Sequence, residues 1–120
     1  MSTVVLGLVD DLFFTAKIQA TASQCGVSVR FSSQAQDLMN QARDQRPSLI
    51  LVDLSREMLA PMEAIQRLKE DPLLREIPVL GFYSHVEARL KDQALQAGCN
   101  RVVPRSYFSQ NLAAILTGGI

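Results

Sequence analysis

Ser48-Leu-Ile-Leu-Val-Asp53 runs four consecutive aliphatic residues into a carboxylate. The run is short and follows Pro47, which predicts a strand buried on both faces rather than a helix. Its acid then emerges at the strand's carboxyl end. In open parallel sheets the loops leaving that end splay apart and form the ligand crevice, so Asp53 is the first candidate functional residue.

Toward the amino terminus, Thr3 to Val9 is apolar and β-branched and closes on Asp10-Asp11, a second buried strand ending in acids. Leu12 to Gln24 carries Phe14, Ile18 and Thr21 or Ala22 at helical spacing, with Gly26 as the residue that ends the helix. Val27 to Phe31 alternates apolar and polar residues, as an edge strand with one buried face does. Ser32 or Ser33 is placed to cap a helix carrying Ala35, Leu38, Met39 and Ala42, which Pro47 stops.

Beyond Asp53, Leu54 to Ala60 reads as an irregular loop and Pro61 as the first residue of a helix carrying Met62, Ile65 and Leu68, ending near Asp71-Pro72. Ile77 to Tyr83 is a further strand. Ser84 with Glu87 forms a capping-box pattern ahead of a helix with Val86, Leu90 and Ala94 on one face, ended by Gly98. Cys99 to Val103 is the last strand and Tyr107 to Leu116 the last helix, its buried stripe being Phe108, Leu112 and Ile115 or Leu116. The tail, Thr117-Gly-Gly-Ile, reads as frayed. Five alternating β and α units predict one domain over residues 1–120, a three-layer α/β/α sandwich around a parallel sheet with right-handed crossovers.

Composition narrows the function classes. The 12 basic and 12 acidic residues of the 120-residue chain cancel, leaving no electrostatic footprint for nucleic acid or an anionic membrane. No apolar run approaches the roughly 20 residues that span a bilayer, and the amino terminus lacks a basic leader, so a cytoplasmic protein is expected. Cys25 and Cys99 form no CxxC pair and read as two buried, reduced thiols. A single histidine, His85, without a second His or a nearby Cys argues against a transition-metal centre.

If Val9 and Val52 end neighbouring strands, Asp10, Asp11 and Asp53 converge. Three adjacent acids repel one another, and a hard divalent cation such as Mg²⁺ relieves that repulsion. A carboxylate beside such an ion is a credible nucleophile toward a phosphoryl group. The competing reading is that Asp10 or Asp11 simply caps the helix starting at Leu12.

These features resemble the receiver domain, the phosphoacceptor module of two-component response regulators. The resemblance rests on Val9-Asp10-Asp11, Ile50-Leu-Val-Asp53, Ile77-Pro-Val-Leu80, Ala97-Gly98-Cys99 and Val103-Pro104-Arg105. It implies a flavodoxin-like (βα)5 sheet in the order 2-1-3-4-5. It also implies phosphorylation of Asp53 by a histidine kinase or phosphotransfer protein, with Asp10, Asp11, Asp53 and the backbone carbonyl of Ser55 holding Mg²⁺. Output would be through an unidentified downstream protein, with no catalytic activity of its own. Many receivers pair through their fourth and fifth helices; Leu90, Tyr107 and Phe108 are the candidates for a homodimer surface.

The departures from the family pattern are specific. Tyr83 stands where the family has a phosphoryl-contacting Thr or Ser, and a phenol is too long to replace that hydroxyl. Ser84 is the neighbouring hydroxyl, with capping as its alternative role. Arg105-Ser106 replaces Lys-Pro, which keeps the charge but predicts a trans bond and an arm pointing differently. Val102 occupies the aromatic switch position. Ser55-Arg-Glu-Met-Leu-Ala-Pro61 replaces the usual glycine-bearing loop, and Arg56 or Glu57 is within reach of the pocket. His85 is at a position that faces the same pocket in receivers, its alternative being a solvated residue in a first helical turn. The substitutions favour a second hypothesis, a phosphorylation-independent pseudo-receiver acting as an interaction module. A small hydrolase or flavodoxin-like binder ranks lower, since no Gly-rich phosphate loop follows the first strand.

Overall fold

In a computed structural model that describes residues 3–118, with the His85 side chain outside the description, β3 (Leu49–Asp53) is buried at every position. It is the middle of a five-stranded parallel sheet with β1 (Thr3–Leu8), β2 (Val27–Ser32), β4 (Val79–Tyr83) and β5 (Arg101–Pro104) in the order 2-1-3-4-5. Side chains alternate across the sheet with period two. Leu49, Leu51, Leu80 and Phe82 join one core with α1 (Leu12–Cys25), α5 (Arg105–Gln110) and α6 (Leu112–Gly118). Ile50, Val52, Val79 and Tyr83 join the other with α2 (Ala35–Gln45), α3 (Pro61–Glu70) and α4 (Arg89–Ala97). Helices on both faces of a parallel sheet are the expected consequence of strands that are apolar on both sides.

The helix ends show which local signals decided the boundaries. Asp11 caps α1, its Oδ1 accepting the Phe14 N–H at 2.9 Å, and Gly26 closes it at φ 71°. Gly98 ends α4 at φ 112°. Pro61 opens α3 as expected, and the loop before it contains a 3-10 turn, Glu57–Leu59, anchored by buried Leu59. Ala60 joins the two at φ 47°, a left-handed conformation that disfavours any residue with a Cβ.

Several expectations are corrected. Neither Ser32 nor Ser33 caps α2: Gln34 precedes it, and the Ser32 hydroxyl accepts from Gln41 Nε2 at 2.9 Å instead. The Ser84–Glu87 capping box does not form; a separate 3-10 turn, His85–Glu87, precedes α4, held by a Glu87 N–H to Ser84 carbonyl bond, and Val86 is exposed. The last helix begins at Arg105 and breaks at Asn111, whose backbone leaves the helical region at φ -113° and ψ 20° while its N–H and side-chain amide both donate to the Tyr107 carbonyl. Thr117 and Gly118 are helical rather than frayed, while Gly119 and Ile120 lie outside the described residues. The cysteines are both free, but only Cys99 is buried; Cys25 is half-buried. Of the candidate dimer contacts, Phe108 is fully buried and Leu90 half-buried, which leaves Tyr107 exposed.

Gly81 sets the spacing between β4 and the strand that ends in Asp53. A methyl group there would meet the buried Leu54 side chain at 2.8 Å. Gly81→Ala is expected to cost about 1–3 kcal/mol through overpacking, measurable by denaturant unfolding. A loss within experimental error would show that Leu54 moves aside freely.

Candidate functional site

Asp53 ends β3 opposite Phe82 in the register, so its side chain points to the face that carries α1 and α5. It is 1% exposed. Its Oδ1 accepts the Ser55 N–H at 3.1 Å, a contact that follows from the tight turn after the strand. Arg105, the first residue of α5, reaches it across the sheet edge: Nη2 lies 3.3 Å from Oδ2 and 3.4 Å from Oδ1. These distances are at the long end for hydrogen bonds, so charge attraction dominates the contact. Burial pushes the Asp53 carboxyl above the ordinary value of 3.8, and the Arg105 guanidinium and Ser55 N–H pull it back down.

The arm carrying Arg105 therefore reaches the central acid despite the missing proline. Aromatic rings explain how. The Arg105 guanidinium carbon lies 5.0 Å from the Phe14 ring centroid and 5.9 Å from that of Phe82. Both rings offer a negative face to the cation. Phe82 in turn stacks on Phe108 with centroids 4.3 Å apart and planes 8° apart. The bed for Arg105 was not anticipated: helical spacing marked Phe14 as a core residue but could not place it beneath a cation from α5.

Asp10 and Asp11 diverge in role. Asp11 is the α1 cap, as its competing reading held. Asp10 pairs with Arg56, whose Nε lies 2.8 Å from Oδ1. Glu57, its neighbour in the loop, is exposed. Each acid at this edge thus already has a partner, and no three His, Cys, Asp or Glu side chains among the described residues stand together as a metal-binding set. In this arrangement a guanidinium holds Asp10 and a helix cap engages Asp11, so the implied Mg²⁺ ligands, Asp10, Asp11, Asp53 and the Ser55 carbonyl, fit the ion only once Arg56 releases Asp10.

Tyr83 does not place its hydroxyl beside Asp53, whereas Ser84 lines the cavity next to Arg105. Tyr83 points to the opposite face and is buried in the core beneath α3 and α4. This follows from strand alternation: one residue after Phe82, it cannot share Phe82's face. Ser84 donates its backbone N–H to the Ser55 hydroxyl at 2.9 Å, tying the loops after β3 and β4 together. Val102 is half-buried against the Tyr83 side of the core. The expectation for His85 falls on a side chain outside the described residues.

An open parallel sheet in this order is the flavodoxin-like doubly wound arrangement, here with an acid ending its central strand and a basic residue entering from the last β–α junction. Comparisons with known proteins agree. The chain is 30% identical over 79 residues to the polar-differentiation response regulator DivK of Brucella anthropi; the match covers 66% of this chain and 62% of that protein. It superposes on a chemotaxis response regulator of Vibrio cholerae with a TM-score of 0.84 at 14% identity, covering all of both chains. It matches the receiver domain of a Pseudomonas aeruginosa sensor histidine kinase, a structure with a magnesium ion coordinated in its active-site cleft, with a TM-score of 0.83 at 20% identity over 98% of this chain and 97% of that one. No family model matches the sequence. The chain thus has the fold of these response-regulator receivers, and the curated relative it resembles is matched over 62% of its length. No helix among the described residues is long and apolar enough to cross a membrane.

Proposed function

We propose that this chain is a non-enzymatic cytoplasmic receiver that accepts a phosphoryl group on Asp53 from a phosphohistidine of a histidine kinase or phosphotransfer protein. It passes the signal to a downstream protein by surface contact, without engaging nucleic acid or a membrane. The observation that carries this reading is a carboxylate 1% exposed at the end of the central strand and gripped by a cation from the last β–α junction. In the transfer, an Asp53 carboxylate oxygen forms a bond to phosphorus. The phosphorus–nitrogen bond breaks, and its electron pair stays on the imidazole nitrogen. Arg105 would shift its donors from the carboxylate to the new phosphoryl oxygens, for which a guanidinium is well shaped.

Treatment of the full chain with Mg²⁺ and acetyl phosphate, or with beryllofluoride, is expected to shift amide resonances around Asp53 and Arg105. The acetyl phosphate product should carry one acid-stable, base-labile phosphoryl group that Asp53→Asn lacks. An unchanged spectrum at saturating reagent, or the same adduct in Asp53→Asn, overturns the reading.

A second reading, a phosphorylation-independent interaction module, is favoured by one feature. Arg56 and Arg105 already neutralise Asp10 and Asp53, and Tyr83 faces away from them. That reading expects the unchanged spectrum.

A further inference from the structure

The loop after β3 places a cation where the acids would otherwise recruit one. Arg56 lies between the turn at Leu54-Ser55 and the 3-10 turn Glu57–Leu59, and Leu59 anchors that turn in the core. The Leu59 N–H donates to the Arg56 carbonyl at 3.0 Å, so the backbone of Arg56 is held while its side chain stays half exposed. From this position its Nε reaches Asp10 at 2.8 Å across 46 residues of sequence.

We propose that Arg56 is a built-in counter-ion that competes with divalent cations for Asp10, so that metal binding at this edge of the sheet requires its guanidinium to leave. Two fixed cations, Arg56 and Arg105, face the three carboxylates Asp10, Asp11 and Asp53. A divalent ion would have to displace Arg56 from Asp10 and then tolerate its positive charge nearby. Asp10, Asp11 and Asp53 together reinforce the protonated guanidinium, so Arg56 does not vacate the pair by losing its charge. It leaves only by swinging away, which its solvent-facing half and four-bond side chain allow. The device goes beyond the receiver reading, since it concerns cation occupancy and rests on the Arg56–Asp10 pair whether or not Asp53 is phosphorylated.

The test is a titration of the full chain with Mg²⁺, followed by amide chemical shifts, and with Mn²⁺, followed by paramagnetic broadening. Arg56→Met should bind Mg²⁺ roughly tenfold more tightly than the unaltered chain, as expected when a like charge is removed beside a divalent ion. Arg56→Gln should move in the same direction, and the broadening should centre on Asp10 and Asp11. Adding Asp10→Asn to Arg56→Met should abolish the gain. Equal or weaker affinity in both Arg56 variants, or a gain that survives Asp10→Asn, overturns the proposal. The outcome is separable from that of the receiver reading. Tighter Mg²⁺ binding in Arg56→Met with no adduct on Asp53 would leave the counter-ion standing and the phosphoacceptor refuted; an adduct on Asp53 with unchanged metal affinity would do the reverse.

Discussion

Phe82→Ala is expected to cost about 3–5 kcal/mol, the range for removing a large aromatic side chain from a packed core. Phe82 is fully buried and stacks on Phe14, at 5.2 Å, and on Phe108, at 4.3 Å, which are themselves 5.7 Å apart. Three rings from α1, β4 and α5 thus form one triangular cluster, and truncating Phe82 leaves a cavity that the other two cannot fill without moving their helices. Against a typical stability of about 5–15 kcal/mol the loss is large. Urea unfolding followed by circular dichroism should show it as a shifted midpoint with little change in slope. Phe82→Leu should lose less than half as much, because it keeps most of the volume. A Phe82→Ala loss under about 2 kcal/mol would show that the stack collapses readily. The same variant should also loosen Arg105, since one of its two aromatic supports is gone.

Arg105→Met carries the second large effect, and its signature is the dependence on pH. Breaking a buried ion pair by deleting one partner typically costs about 3–5 kcal/mol. Here the Arg105 side chain is 37% exposed and the contacts are long, so about 1–2 kcal/mol at neutral pH is expected after allowing for solvent screening. The sign follows from Asp53. Burial raises its folded-state pKa above 3.8, so the stability associated with its protonated form is fully present below 3.8 and is lost as pH rises through the higher folded value. Removing Arg105 takes away the main influence that lowers this pKa. Stability of the variant should therefore fall further than that of the unaltered chain as pH rises out of the acid range, and the two curves should meet when Asp53 is protonated in both. In an Asp53→Asn background, Arg105→Met should cost little at any pH, a double-mutant cycle that isolates the pair. A loss independent of pH would assign Arg105 a packing role alone.

The two effects meet at one place. The aromatic stack holds the guanidinium, and the guanidinium holds the acid. The Phe14, Phe82 and Phe108 stack under Arg105 is the physical link between Asp53 and helices α1 and α5.

The element order, the two strands ending in acids and the buried stripes of the strands and most helices were legible in the sequence, whereas buried Leu54, Leu59 and Leu74 in the connecting segments were not. Those features depend on local periodicity: Leu49 to Val52 is apolar at each step because both faces of β3 are covered, and Phe108, Leu112 and Ile115 recur at helical spacing. The cap at Asp11 and the stops at Gly26 and Gly98 are equally local, set by backbone groups within a few residues. The partners of the acids were decided only by the tertiary structure. Arg56 meets Asp10 across 46 residues and Arg105 meets Asp53 across 52. Whether a long side chain spans such a gap depends on the path of two loops and the rings beneath it, not on any spacing in the chain. Strand phase settled Tyr83 in the same way. Placing it at the end of β4 was within reach of the sequence, but the β3–β4 register, Asp53 opposite Phe82, turned its phenol into the far core. The pattern of apolar residues thus determined the sheet and delivered three acids to one edge, and the packing of the loops around that edge determined that two arginines meet them there.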